Sequence, residues 1–366
     1  MFKFDIHNNL VTISNSILYY FTGKSFHETN KNLDYYLSSK KYKKITVFLF
    51  DGFGKSIREK TLKESDFLRK KTKFTISSIF PPTTVAATTA FNTCKYPVET
   101  GWLGWQQYFK NEDLVVEMFT NKDIVSENYL PGEHLAEKYV PTKKIWDYIN
   151  EESDARAIGF FPQPIDPKGP NNLNDFFQKV SSLMKYDGKQ YIYAYWASPD
   201  NLIHEHGTDS IQVRNNCKLI NKYMAKIAKE NKDNLIIVLA DHSLVNVNFF
   251  YTGEHEDFAD CLKNVISLDS RSIFFHVKDD KKDEFVKLFN QYYGEYFVLK
   301  TKEEVIKEKW FGEGEENQYF RDFLGDFMAT SISKYAFTHT TEKSMKGAHS
   351  GSVEEESLID VSILNI

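Results

Sequence analysis

Four short, nearly uninterrupted apolar runs end at sharp polar or proline corners, and this layout constrains the fold more than any other feature of the chain. Residues 45–50 (ITVFLF) stop at Asp51-Gly52, 72–80 (TKFTISSIF) at Pro81-Pro82, 190–198 (QYIYAYWAS) at Pro199-Asp200, and 234–240 (NLIIVLA) at Asp241-His242. Runs of this length, rich in β-branched and aromatic residues, read as strands buried on both faces. Helical patterns follow at about 56–70, over TTVAATTAFNT after the two prolines, and at about 209–230. Strands alternating with helices predict an α/β fold, a mostly parallel sheet sandwiched by helices, whose ligands collect beyond the carboxyl ends of the strands. Asp51, Asp200 and Asp241 all fall at that end. From about 250 to 325 the pattern loses regularity, with charged stretches such as KDDKKDEF and KEEVIKEKWFGEGEEN. The expected organisation is therefore a core over 1–249, an inserted cap over 250–325 and a closing core segment over 326–366. No internal repeat at a fixed period is visible.

At 366 residues the chain is long enough for roughly two domains, or for one large domain with an insertion. Its 41% apolar and 27% charged residues fit an ordinary globular protein and exclude disordered, collagen-like and disulfide-scaffold classes. The net charge is -5 and the positive charges are scattered, so no nucleic-acid duplex binding is expected. Cys94, Cys217 and Cys261 are odd in number and far apart, which suits a reducing compartment. The N-terminus has no signal-peptide pattern, and no stretch reaches the roughly 18 apolar residues a membrane span needs. The expectation is a cytoplasmic protein without membrane attachment, its oligomeric state left open.

The chemistry is read from the strand ends. Asp-Gly after a strand is a common turn, and Asp51 alone carries little weight. Asp200 and His204 stand four apart, a spacing that puts carboxylate and imidazole on one helical face, although a helix-start Asp with a surface His has the same spacing. Asp241-His242 directly after a buried strand costs free energy unless both side chains find partners. His349 lies between Gly347-Ala348 and Ser350-Gly351, where small residues permit close backbone approach. Together these segments offer three carboxylates and three imidazoles, a donor set that suits zinc, with manganese as the alternative. Two divalent ions against three carboxylates leave about one positive charge for an activated alkoxide or a phosphate oxygen, a balance that suits phosphoryl transfer. The nucleophile segment is IFPPTTVAATTAFNT. Pro81-Pro82 halt the strand and leave Thr83 or Thr84 at a helix N-terminus, where amides and dipole favour anions. An ordinary threonine N-cap is the competing reading.

The stretches VFLFDGFG, FPPTTVAATT and YPVETGWLGW, with the segments around Asp200, Asp241 and His349, resemble the alkaline phosphatase superfamily and, within it, the type I phosphodiesterase/nucleotide pyrophosphatase branch. The resemblance spans about 45–105, 190–245 and 345–352, the core without the cap. Its Pro and Gly landmarks, here Pro97 and Gly101, put the nucleophile on Thr84 rather than Thr83. It implies two divalent metal ions, one held by Asp200, His204 and His349, the other by Asp51, Asp241 and His242, with the Thr84 oxygen between them. One departure concerns substrate: the branch usually carries a phosphate-binding Asn after its Gly-x-x-Gly segment, and Trp105 stands there instead. The Trp105 indole N–H or the Gln106 amide is the candidate replacement. The implied activity is a metal-dependent phosphodiesterase or nucleotide pyrophosphatase that acts on a small-molecule phosphate ester or nucleotide through a covalent threonine intermediate. The alternatives are a phosphomonoesterase, a phosphonate hydrolase and, least favoured, a sulfatase; from another class, a metal- or nucleotide-binding protein without turnover.

Overall fold

The computed structural model describes residues 1–341 and 345–366. Six strands form the main sheet: Lys44–Phe50 (β1), Thr72–Ser77 (β2), Arg156–Phe160 (β3), Gln190–Trp196 (β4), Asn234–Leu239 (β5) and Leu358–Leu364 (β6), in the order β2-β6-β5-β1-β4-β3. The central strand β1 runs parallel to β4, with Phe50 opposite Trp196, and to β5, with Leu49 opposite Leu239. This register brings the ends of all three strands to one edge, and Asp51, Asp200 and Asp241 with them. Parallel β3 extends the sheet beyond β4. The one antiparallel strand is β6, which lies between β5 and β2. The α/β fold with a mostly parallel sheet follows from the near-continuous apolar character of β1, β4 and β5, whose residues are almost all buried.

The helices end where local chemistry ends them. Leu10–Thr22 begins with Asn9, whose side chain accepts from the Val11 and Thr12 amides, and stops at Gly23 with φ +73°. The pattern expected over 56–70 splits into Lys55–Thr61 and Phe67–Lys71. Between them the Lys63 amide donates to Asp66 Oδ2 at 2.8 Å, a side chain to backbone bond that competes with helix continuation. In the helix Thr84–Thr93 all ten residues are buried, because its alanines and threonines allow close packing. Ile211–Glu230 starts at Ser210, whose side chain accepts from Val213 N.

A second, seven-stranded sheet packs beside the first. Its order is Phe297–Thr301, Phe327–Ser331, Ser272–Phe275, Ser267–Leu268, Gln106–Phe109, Leu114–Glu117, Lys122–Asp123, with every pairing antiparallel. A separate aromatic cluster that includes Phe258, Phe275, Phe285, Phe289 and Phe297 forms its core. Strands from 106–123 and 327–331 join this sheet, so the layer extends beyond the cap expected over 250–325 on both sides. The two layers are tied by an ion pair with no solvent exposure, Arg271 Nη2 to Glu356 Oε1 at 2.8 Å. Among the described residues no helix is long and apolar enough to cross a membrane. The three cysteines are unpaired and buried.

Candidate active site

Thr84 opens its buried helix, and Thr83 holds the N-cap position with an extended backbone but makes no capping bond. The Thr83 hydroxyl instead donates to Asp269 Oδ2 at 2.6 Å, which sets aside the reading of an ordinary threonine cap. The Thr84 hydroxyl lies 3.4 and 3.3 Å from the two oxygens of Asp51 and 3.2 Å from His242 Nε2. Its position at the helix start also sets it beside amides that have no partner within the helix.

Asp51 leaves β1 directly into Gly52, whose φ of +70° and close packing admit only glycine: a Cβ there would stand 2.6 Å from Leu244 and 3.0 Å from the Asp200 backbone. The Gly52 and His242 amides donate to Asp241 Oδ1 at 3.1 and 3.0 Å. His242 Nε2 lies 3.5 Å from both Asp51 Oδ1 and Asp241 Oδ2. Asp200 and His204 occupy the short helix Asp200–His206, with His204 Nε2 3.1 Å from Asp200 Oδ2, and His349 Nε2 is 3.9 Å from Asp200 Oδ1. His204 Nδ1 bonds to the Gly347 carbonyl at 2.8 Å, which leaves Nε2 facing the carboxylate.

Two groups have donor atoms within 4.8 Å of one another: Asp200, His204 and His349, and Asp51, Asp200 and His242. Asp200 therefore bridges both, while Asp241 stands beside the second group through His242. Asp200 Oδ1, Asp241 Oδ2 and His349 Nδ1 are buried and make no hydrogen bond. The electrostatics match this crowding. Burial pushes the Asp51 carboxyl well above its ordinary range, and Asp241 and Asp200 push it further; Asp241 is raised by burial too. Burial, then neighbouring His242, holds His349 well below the usual imidazole range. For His204 burial acts downward, but Asp200 outweighs it and carries the imidazole up to about 9. Packed carboxylates and imidazoles with unpartnered atoms are the donor arrangement of a cation site.

A cavity of about 380 Å³ opens beside Thr84, and Trp105 and Gln106 line it. Of the other aromatics near the nucleophile in sequence, Phe80 and Trp102 are buried in the core, with Trp102 Nε1 bonded to the Val140 carbonyl at 2.8 Å. Tyr108 packs against His276 with ring centres 4.5 Å apart. Three participants carried no motif. Tyr195 donates a short hydrogen bond to Asp51 Oδ2, and only the alternation of Tyr191, Tyr193 and Tyr195 along β4 hints at a shared face. Asp269 and His339 line the cavity from segments without a recognisable spacing.

Residues 45–352 match the family described as type I phosphodiesterase/nucleotide pyrophosphatase. Comparison with curated protein sequences finds no match. Among solved structures, murine ectonucleotide pyrophosphatase/phosphodiesterase 5 superposes with a TM-score of 0.66 at 15% identity, covering 87% of each chain. An inactive form of that protein in complex with AMP gives 0.65 at 15% identity, again over 87% of each chain. Phosphonoacetate hydrolase from Sinorhizobium meliloti 1021 in complex with phosphonoformate gives 0.66 at 12% identity, over 87% of this chain and 89% of that one. Identities this low speak for the fold, and the family match extends over most of the sequence. The chain belongs to the type I phosphodiesterase/nucleotide pyrophosphatase family of the alkaline phosphatase superfamily, a family of phosphoester hydrolases.

Proposed function

We propose that the protein hydrolyses phosphodiesters through a covalent Thr84 intermediate with two divalent metal ions, zinc by its donor set and manganese as the alternative. The observation that carries this reading is the Thr84 hydroxyl, within 3.4 Å of Asp51 and 3.2 Å of His242 in one donor group, on a cavity that Asp200, His204 and His349 of the other group also line. The buried, unpartnered oxygens of Asp200 and Asp241 and the unpartnered nitrogen of His349 fit bound cations. Asp200, His204 and His349 would hold one ion, and Asp51, Asp241 and His242 the other. Bound there, the ions would neutralise the carboxylates and favour negative charge on the attacking and phosphoryl oxygens.

The chain's own groups do the positioning. Asp51 accepts from the Thr84 hydroxyl, and His242 Nε2 lies 3.2 Å from the same oxygen, so the two side chains hold it at the helix N-terminus. Attack by that oxygen forms the threonyl–phosphorus bond and breaks the bond to one substrate alcohol, which leaves with the proton. Water then cleaves the threonyl ester and restores Thr84. Trp105 and Gln106, on the cavity wall, are the donors to a phosphoryl oxygen. Diesters are favoured over monoesters because no Lys or Arg among the described residues lines the cavity to meet a dianion. A cytoplasmic setting belongs to the same reading, supported by the three unpaired cysteines.

The test is a pair of variants assayed with an aryl phosphodiester. Thr84→Ala should lose several orders of magnitude in kcat while metal content stays unchanged. Thr83→Ala loses one hydrogen bond, about 1 kcal/mol, and should stay within roughly tenfold of the parent. The opposite ranking would refute Thr84 as nucleophile.

A further inference from the structure

Lysines that are scattered along the sequence converge in space on the edge of the main sheet opposite Thr84. Strands β1, β2, β4 and β5 all begin at this edge, with Lys44, Thr72, Gln190 and Asn234 as their first residues. One open recess there is lined by Lys40, Lys41 and Lys189 and a second by Lys40, Lys71, Lys229 and Lys232, so Lys40 joins the two. Lys43 stands beside Lys189, because its carbonyl accepts from the Gln190 amide at 2.9 Å. Lys40, Lys41, Lys43, Lys71, Lys229 and Lys232 are exposed, and none forms an ion pair with a described residue. The acids at this end of the sheet are already matched: Glu151 by Lys143, Glu152 by Lys24, Asp154 by Lys189, Glu230 by Lys226 and Asp233 by Lys44. Exposed Asp187 and the Ile366 carboxylate remain. Six unpaired ammonium groups therefore face two unpaired carboxylates, on a chain whose net charge is -5.

The shape of this charge decides its partner. In the sheet order β2 and β4 stand four strand spacings apart, roughly 19 Å, so the lysines spread along an edge rather than gather about a point. All six are ammonium groups on flexible stems, and none is the planar arginine fork that matches a single phosphate. The edge is built of loops and helix ends, with no projecting helix or ribbon to enter a duplex groove. A broad negative surface suits such a patch, since each ammonium meets a headgroup without fixed geometry and the attractions add. We infer that this edge docks on an anionic lipid bilayer, held by charge, with the active site turned away. Along β1 the edge lies about 20 Å from Asp51, so the cavity beside Thr84 stays open to water-borne substrate in the docked protein. Contact of this kind needs neither an apolar span nor a leader, and it departs from the expectation of a protein without membrane attachment. The six lysines come from three separate segments, which only the fold brings together. The inference is independent of which phosphoester is the substrate.

Cosedimentation with vesicles tests this, comparing phosphatidylcholine alone with phosphatidylcholine containing phosphatidylserine. The parent protein should partition onto the serine-containing vesicles alone, and should be released between about 0.05 and about 0.5 M salt. Each lysine near such a surface contributes about fivefold to partition. The triple variant Lys40→Gln, Lys71→Gln, Lys229→Gln should therefore lose on the order of 100-fold. A control triple, Lys168→Gln, Lys287→Gln, Lys334→Gln, changes the net charge equally at exposed, unpaired lysines elsewhere and should stay within about threefold of the parent. Both should unfold at the temperature of the parent, because every replaced side chain is exposed. No partition at low salt, partition that survives high salt, or equal losses in the two triples would overturn the inference. Tighter binding at equal salt to duplex DNA or to polyglutamate than to the vesicles would also overturn it, and would give the edge to another polyanion.

Discussion

Replacing Glu356 with Gln removes one charge from a pair that no water reaches. The Glu356 carboxylate accepts from Arg271 Nε at 2.9 Å and Nη2 at 2.8 Å, and from the Gly351 and Val353 amides at 3.1 and 3.3 Å. Arg271 also donates to the Ser333 and Tyr335 carbonyls at 2.9 and 3.0 Å. Both side chains are 0% exposed. In Glu356→Gln the guanidinium stays buried without a counter-charge, and the new amide NH₂ opposes its N–H groups, a loss of about 3–5 kcal/mol. Unfolding entropy of about 2.1 cal/mol/K per residue over 366 residues amounts to about 0.8 kcal/mol/K. The expected fall in Tm is therefore roughly 4–6 °C. Thermal and urea unfolding in the presence of a chelator isolates the effect from metal binding. Arg271→Met combined with Glu356→Leu should lose far less, because no charge is left behind. A Tm change under about 1 °C for Glu356→Gln, or a double variant less stable than the single one, would refute the argument.

Two further predictions concern buried polar groups. Tyr195→Phe removes the hydroxyl that donates to Asp51 and should weaken metal retention or kcat by about 10–100-fold with little change in Tm; metal titration of the purified variant checks it, and unchanged affinity and rate would dismiss Tyr195 as a positioning residue. Burial lowers His276 to about 4, so the neutral ring is favoured in the folded state and its stabilising effect is complete above the unfolded value near 6.5. That contribution is lost as pH falls from about 6.5 to about 4, by up to about 3 kcal/mol, and His276→Phe should flatten the stability profile in that window. An identical acid profile for the variant would show that His276 does not report the loss.

The main sheet was readable because its central strands are buried on both faces and announce themselves as apolar runs, and because Asp51, Asp200 and Asp241 follow three of them directly. The second layer was only partly readable. Its strands are two to five residues long, and the pairing that attaches residues 106–123 to the layer is distant in sequence, Leu268 opposite Gln106. Neither propensity nor periodicity marks such a pairing, which is why the pattern alone leaves residues 106–123 continuous with the core. The closing strand β6 is legible only as part of the closing core segment, since its antiparallel place between β5 and β2 is decided by tertiary packing. For the site, charged residues at strand ends carry a local signal, whereas Tyr195 sits within a strand as one aromatic among several. Asp269 follows a short strand with an unusual turn, and its bond to Thr83 spans 186 positions. The broken helix at 62–66 shows the converse: a polar side chain there overrides a pattern that reads as continuous.

The two layers contribute differently around the cavity. The clustered donors and Thr84 come from the edge of the main sheet and the loop of His349, while Ile266, Asp269 and Ser270 come from the second layer. The helix behind Thr84 is buried along its whole length, so changes there disturb packing before they alter selectivity. On the facing wall Ile266 and Leu268 are buried too, but Asp269 and Ser270 are only part-buried, so their side chains can change at less cost to packing. A chain built this way can acquire a new preferred substrate through its second layer while its reactive half stays constant, and single substitutions at the part-buried positions 269 and 270, rather than exchange of the buried strand before them, are where directed evolution of selectivity would gain most for least loss of stability.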